Sequence, residues 1–436
     1  MDELDDMATT TTFRRWSDDL TPDLVSRVAD CCPVKDYASC RAVCRAWRSA
    51  LPSLASRPLA PVAAAAAADV AVSLGVCSQN ARRWSRLVGL HQPSGLDAET
   101  CRCVGGTRDG WLALVGTAAG KPTSGAVLLF NPLTGAEIPQ HASLYDPECE
   151  RAPKVVFSPS PTARDFAAVS MCRPNRLAVQ RATEGYSSSL VVDTEALMDG
   201  AALADIAYSE EGKAKVVYCL TTHGAVHVLH LDRRRRRRGR LRAVEVEPLV
   251  AGAGAGAAAF STPYDTIARH TDAKSVVLCG GVLYQVWRRP GGAGSAVAPA
   301  GMLDQRLLRV SESEVFVLRY DPGARGPRWV EAKDLGGHAV FLGANDAAVR
   351  VVVDSSELVG DCLYYWDNTA APEGGYEAFV FNVASRGSAR RLPVAGGVSS
   401  PLWYFLPAWE KTNLKKPVQY DDSLPVQYDD EPDIGA

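Results

Sequence analysis

The sequence predicts a mainly β protein: a β-propeller of roughly six to eight blades, seven favoured, behind a small α-helical unit. Three observations carry this. From about Cys101 onward, short apolar segments, many of them alternating, are punctuated by Gly, Pro, Asn and Asp, which is the pattern of strands and turns. Helical periodicity is nearly absent between them. The stretch involved is about 300 residues, too long for one sandwich but suited to blades of ~40–50 residues each.

The strand-like segments follow in order. Cys103 to Gly106 leads into Gly110 to Val115. Ala126 to Phe130 is closed by the turn Asn131-Pro132-Leu133-Thr134-Gly135. Lys154 to Phe157, Phe166 to Cys172 and Ser189 to Val192 come next. Val216 to Leu220 pairs with Ala225 to Leu231 across Thr222-His223-Gly224. Ser275 to Cys279 pairs with Val282 to Trp287 across Gly280-Gly281. Val315 to Tyr320 pairs with Trp329 to Lys333 across Asp321-Pro322-Gly323. Ala339 to Leu342, Val349 to Val353, Cys362 to Trp366, Ala378 to Val383 and Leu402 to Leu406 complete the set. The last segment is dense in aromatics between two prolines. A ring of blades has an open seam unless distant strands complete one blade. Leu402 to Leu406 is therefore expected to pair somewhere in Val70 to Val115 and to bury Trp403 or Phe405.

The helical unit precedes all of this. Thr21 is a good N-cap, Pro22 suits the first helical position, and Asp23 complements the helix N-terminus. Leu24, Val25 and Val28 give one apolar face, and Pro33 stops the helix. A second helix is expected from Asp36, with Tyr37, Cys40, Val43, Cys44, Trp47 and Leu51 at steps of three and four until Pro52. So small a unit buries little area and needs a partner surface or the rest of the chain.

These residues carry a resemblance. Leu20-Thr21-Pro22-Asp23-Leu24-Val25, followed by Arg41-Ala42-Val43-Cys44-Arg45-Ala46-Trp47-Arg48-Ser49, resembles an F-box. The chain departs from that pattern at Thr21, where many relatives have a second proline, and at Cys31 and Cys32, where leucine is common. The resemblance implies docking on a Skp-type adaptor that bridges to a cullin ubiquitin ligase. Leu20, Pro22, Leu24, Val25, Val28, Val43, Cys44, Trp47 and Arg48 are the implied adaptor-binding residues, with Leu20 and Trp47 as anchors.

The β region resembles a known family as well. Gly110 to Val115, Leu128 to Pro139, Asp205 to Tyr208, His223 to Leu229, Glu314 to Asp321, Trp329 to Gly343 and Asp361 to Asn368 fall in the order found in a plant F-box family. Its C-terminal domain, long of unknown function, is described as a KIB-type β-propeller. The wording is similar to the divergent branch found in grasses. The resemblance implies a substrate-recognition subunit, with the propeller selecting a protein for ubiquitination. Rival readings are a propeller enzyme or small-ligand receptor with an incidental helical hairpin, and a diverged copy without a functional substrate.

The implied organisation is a disordered N-terminus over 1–13, an F-box over 14–52 and a linker over 53–69. A propeller over 70–410 and a disordered acidic tail over 411–436 follow. The linker, with its alanine run, is read as short helix at best. The tail repeats Pro-Val-Gln-Tyr-Asp-Asp at 417–422 and 425–430. It is Pro-bearing and poor in core-forming residues.

A formal charge of −3 gives no global pull toward nucleic acid or membrane. The acidic start lacks the pattern of a signal or transit peptide. No window holds ~18 uninterrupted apolar residues. The 12 cysteines are scattered, with only Cys31 and Cys32 adjacent, which suits reduced thiols in the cytosol or nucleus. Arg233, Arg234, Arg235, Arg236, Arg237 and Arg238 form a run that reads as a solvated loop, a nuclear localisation signal or a patch for an acidic partner. No aromatics interleave it, so specific nucleic-acid binding is not expected. Val250 to Ala259 and Gly291 to Gly301 read as flexible Gly/Ala loops.

No nucleophile elbow, Walker loop or zincin motif is present, and no catalytic role or cofactor is expected. His223, His227 and His230 look like a metal cluster, but on a strand His230 points away from the other two. Cys101 and Cys103 lack the spacing and the second pair of a zinc site.

Overall fold

A computed structural model describes residues 20–30 and 43–51 with Cys40, the strand residues within 59–86, most of 93–391, and Trp403. Residues 1–19, 232–243, 251–259, 300–306, 352–358, 369–375 and 404–436 are among those outside that description.

Two helices come first, α1 (Pro22–Asp30) and α2 (Arg45–Ala50). A three-stranded antiparallel sheet follows, β1 (Leu59–Ala63), β2 (Ser73–Ser78) and β3 (Arg83–Arg86). β1 lies inside the stretch expected to be linker or short helix. Leu59 and Val62, pairing with β2, take it out of the alanine run that follows.

Five larger sheets build the propeller. Blade one is β4 (Arg102–Gly106), β5 (Leu112–Ala118), β6 (Lys121–Asn131) and β7 (Ala136–Gln140). Blade two is β8 (Lys154–Phe157), β9 (Asp165–Arg173), β10 (Arg176–Thr183) and β11 (Tyr186–Asp193). Blade three is β12 (Leu203–Glu211), β13 (Ala214–Thr221), β14 (Val226–His230) and β15 (Glu245–Pro248). A short helix α3 (Tyr264–Ile267) then leads to β16 (Ala273–Cys279) and β17 (Val282–Arg288). The hairpin of β18 (Ala296–Pro299) and β19 (Leu307–Val310) interrupts before β20 (Val315–Asp321) and β21 (Arg328–Glu331) finish blade four. Blade five contains β22 (His338–Leu342), β23 (Ala348–Val351), β24 (Cys362–Asn368), β25 (Tyr376–Asn382) and β26 (Arg390–Arg391).

Five blades among the described residues replace the expected six to eight. The reason is chain consumption per blade. The β14–β15 connection carries the arginine run, β18 and β19 lie inside blade four, and β23 lies inside blade five. Blade three, Leu203 to Pro248, still fits ~40–50 residues with the arginine run inside it, but the inserts carry blades four and five, Ala273 to Glu331 and His338 to Arg391, beyond that length. β18 also falls within Gly291 to Gly301, expected to be a loop; its ladder with β19 orders it as a strand.

Strands stay antiparallel within blades one to four. In blade five, β23 turns back onto one side of β22, and β24 then runs parallel to β22 on the other. The expected pairs β13–β14, β16–β17 and β20–β21 are all present. Gly280 and Gly281, at φ 57° and 77°, make the tight turn between Cys279 and Val282 that a side-chain-bearing residue disfavours.

The core is divided among the gaps between blades. Ala113, Val115, Val127 and Leu129 of blade one meet Val155, Phe157, Phe166 and Ala168 of blade two. Val156, Val169 and Val179 meet Ile206, Val217 and Leu229 of blade three. Leu220 and Val226 meet Val276, Trp287 and Leu318 of blade four. Val277, Val286 and Val317 meet Val340, Leu363 and Phe381 of blade five. Both faces of each inner sheet are thus covered, so inward and outward positions are apolar alike and a clean alternation is lost. Blades one and two approach so closely that a Cβ on Gly105 would collide with the Val155 carbonyl.

A polar seam runs across the inner strands. The Lys154 ammonium of β8 is paired with the Asp205 carboxylate of β12, and both side chains are buried. The other Asp205 oxygen accepts the Val276 amide of β16 at 2.9 Å. One carboxylate thereby ties blades two, three and four.

Trp403 is buried, as expected of Trp403 or Phe405. It packs on blade five, against Phe341, Tyr364 and Trp366. The rest of Leu402 to Leu406, and with it the expected ladder to Val70–Val115, lies outside the described residues.

Candidate docking site

α1 begins as the sequence indicates: the Val25 amide bonds the Thr21 carbonyl at 3.1 Å, and Asp23 lies in the first turn. The second helix differs from expectation. Cys40 and Val43 are helical, but Cys44 is extended at φ −157° and ψ 174°. Its Sγ accepts the Trp47 amide at 3.5 Å and so caps a fresh helix, α2. One continuous helix through Leu51 is thereby broken at a residue whose side chain competes for a backbone donor.

The two helices pack on each other. Val25 and Ala29 of α1 are buried, as is Leu51, which caps the C-terminal end of α2. Val25 and Ala29 share one side of α1 by their spacing of four; Leu24 and Val28 share the neighbouring side. That second side faces out: Leu24 is 47% exposed, Val28 48%, and Val43 on the following segment 61%. Among the described residues of the whole chain, these three are half of the exposed large hydrophobics. Three such residues on one small unit form an outward apolar stripe, which marks an interaction surface.

The nine implied adaptor-binding residues therefore divide. Pro22, Leu24, Val28, Val43 and Arg48 are exposed. Leu20, Cys44 and Trp47 are half-buried. Val25 is buried, at 2% exposure, on the side of α1 that it shares with Ala29. Arg233 to Arg238 lie outside the described residues, between the end of β14 and β15.

The other singled-out groups do not converge. His223 is exposed, His227 is buried, and the His230 Nε2 lies 2.6 Å from the Glu247 carboxylate. Among the described residues no three His, Cys, Asp or Glu side chains are grouped to hold a metal. Burial pushes the Cys101 thiol up to about 11, and the Cys103 thiol is also raised by burial. Both favour inert thiols over nucleophiles. The Lys274 ammonium, pulled down to about 8 by burial, donates to the Ala268 and Thr271 carbonyls and lies 5.7 Å from the Trp287 ring centroid. It closes the C-terminal end of the turn after α3. The Lys154–Asp205 seam has little signal in the sequence beyond a charge opening the strand-like run at Lys154 and another in the motif Asp205 to Tyr208.

No helix among the described residues is long and apolar enough to cross a membrane. No curated protein matches this chain. Solved structures similar to it include the WD40 domain of SCAP from fission yeast, at 10% identity and TM-score 0.30, covering 73% of this chain and 79% of that one. A mutant of AofleA from Arthrobotrys oligospora has 11% identity and TM-score 0.31, over 74% of this chain and 80% of that one. A mutant of B. megaterium levansucrase has 11% identity and TM-score 0.28, over 72% and 85%. Two family models match: the F-box domain over residues 17–57, and the KIB1-4 beta-propeller over residues 79–382. The second spans well over half of the chain and all of blades one to four, so the chain belongs to the KIB1-4 beta-propeller family, with an F-box ahead of its propeller.

Proposed function

We propose that this protein is the substrate-recognition subunit of a Skp-cullin-F-box type ubiquitin ligase. The observation that carries the reading is the outward stripe of Leu24, Val28 and Val43 on a unit that matches an F-box. A partner helix or groove covering that stripe would remove apolar surface that the chain itself leaves in water. The adaptor is of Skp type and leads to a cullin; the propeller takes a protein substrate. The mechanism is proximity: tethering brings substrate lysines to an effective concentration on the order of millimolar near the charged ligase. The subunit then needs no catalytic residue, cofactor, nucleic acid or membrane of its own. The ordered motifs from Gly110 to Asn368 further support a plant, grass-type member.

The test is titration of the full chain against a purified Skp-type adaptor. Binding that Leu24→Glu abolishes supports the reading. No binding, together with turnover or saturable uptake of a small molecule, supports a propeller enzyme or receptor instead. We infer a cytoplasmic and nuclear distribution, with Arg233 to Arg238 as the localisation signal; an unchanged nuclear fraction after Gly/Ser replacement of the run removes that role.

A further inference from the structure

We propose that β11, the outer strand of blade two, is a docking edge for an extended, uncharged segment of a protein substrate. β7, β11, β15, β21 and β26 each end a blade, with no ladder on their far side among the described residues. An open edge is a template for pairing, and proteins guard it with short strands, charges or proline. Four of these five edges are guarded. β7 has five residues, with Glu137 and Pro139. β15 has four, with Glu245, Glu247 and Pro248. β21 has four, with Arg328 and Glu331, and β26 is only Arg390–Arg391. β11 has eight residues and carries neither charge nor proline before Asp193. Tyr186 is 74% exposed and Val191 40%, two of the three exposed large hydrophobics described outside the helical unit.

The register shows which backbone groups are on offer. β10 and β11 pair without a shift from Thr183↔Tyr186 to Arg176↔Asp193. The two-residue turn between them has Glu184 at φ 55°. In such a hairpin the residues flanking the turn exchange both hydrogen bonds, and the pattern alternates from there. Tyr186, Ser188, Leu190 and Val192 therefore direct their amides and carbonyls to β10. Ser187, Ser189 and Val191 direct theirs to the open edge. Val192, buried in the core between blades two and three with Leu190 against it, holds the strand in that register.

The occupant follows from what an edge can give. Pairing adds a main-chain ladder but few side chains, so two copies joined through β11 alone would bury far less than the ~1,200 Å² of a stable interface. An extended segment, in contrast, takes its affinity from main-chain bonds and its selectivity from alternate side chains. With no charge over Tyr186 to Val192, the matching segment is itself uncharged and rich in β-branched and aromatic residues.

This inference rests on the receptor reading above, and its test is separate from the adaptor test. A phage-displayed library of random twelve-residue peptides is selected on the full-length chain, and an enriched peptide is then titrated. Ser189→Pro removes an outward amide without touching the β10 ladder, and Ser189→Lys adds an edge charge without altering the backbone. The expected result is uncharged, β-branched peptides whose binding falls at least tenfold in both variants at unchanged melting temperature. Enriched peptides that bind both variants as well as wild type, no enrichment, or a β11-dependent dimer that Ser189→Pro abolishes would each overturn it. A chain that binds the adaptor but selects no peptide fails only here; one that selects the peptide but not the adaptor fails only the receptor reading.

Discussion

The indole Nε1 of Trp403 donates to the Leu342 carbonyl at 2.8 Å, joining the residues after blade five to one of that blade's central strands. The ring also meets Phe341 edge-on at 5.3 Å and lies 4.9 Å from Trp366. Trp403→Ala is expected to cost about 3–5 kcal/mol, since the site loses both a large ring and a buried hydrogen bond. Ending the chain after Gly397 should have the same effect, with aggregation through the exposed aromatic face. Ending it after Lys411 keeps Trp403 and should leave a soluble protein. Equal melting temperatures for the two truncations would show that the tryptophan does not hold the blade.

Asp205 makes a sharper case, because one carboxylate serves three blades. Asp205→Leu leaves the Lys154 ammonium buried without its partner and the Val276 amide without an acceptor. The expected loss is about 3–5 kcal/mol by urea denaturation. Adding Lys154→Met should recover part of it, leaving the amide's desolvation cost of ~1–3 kcal/mol. If the double variant is no more stable than the single, the two side chains are not coupled in the way their contact implies.

These residues also mark where the sequence was and was not legible. β13–β14 and β16–β17 could be read because their apolar runs flank tight Gly-containing turns. β12 and β10 could not. Asp205 and Ser209 in β12, and Gln180 in β10, are buried polar residues that break the alternation. Gln180 is satisfied within the fold: its Oε1 accepts the His141 amide at 2.7 Å. β7, β15 and β26 escaped notice because edge strands are short and carry the charges or proline that otherwise signal loops. At the docking site, spacing alone placed Leu24, Val25 and Val28 on one apolar face. Packing divides that face between the inward Val25 and the outward Leu24 and Val28, a division that spacing alone does not make.

Burial of thiols sets a pH dependence. Cys219 is fully buried, and burial pushes its thiol up to about 12, with Asp205 adding to the effect; Cys279 is raised to about 11, chiefly by burial. In the unfolded chain these thiols ionise near 9. Between 9 and the folded values the unfolded state holds fewer protons, so stability is fully present below pH 9 and falls as pH rises toward 11–12. Lys274 acts in the opposite sense. Its folded value of about 8 lies below its ordinary 10.5, so its contribution rises between those two values. Cys101 and Cys103 are raised as well, so the thiols outnumber the lysine. Melting temperature should therefore drop above pH 9, and Cys219→Ala should shallow that drop. A melting temperature that climbs steadily to pH 11 would contradict the thiol assignment.

The division of α1 into two sides gives the most direct test of the docking surface. Leu24→Glu and Val28→Glu place charge on residues about half in water, so folding stability should change by less than about 0.5 kcal/mol. Adaptor binding should fall far more, because a charge would then be buried against an apolar partner surface. Val25→Glu should do the reverse and unfold the helical unit itself, since Val25 is 2% exposed. Trp47 stands between these cases. It is half-buried, its amide is tied to Cys44, and its Nε1 is buried without a hydrogen-bond partner among the described residues. As an anchor of the interface, Trp47→Ala should weaken adaptor binding by ~2–4 kcal/mol. As internal packing alone, it would lower the helical signal and leave the affinity of the folded fraction unchanged. Circular dichroism of the helical unit in the full chain, read beside the dissociation rate from the adaptor, separates the two. Trp47→Ala binding within twofold of wild type would remove the anchor role, and intact binding by both glutamate variants would remove the stripe as the docking surface.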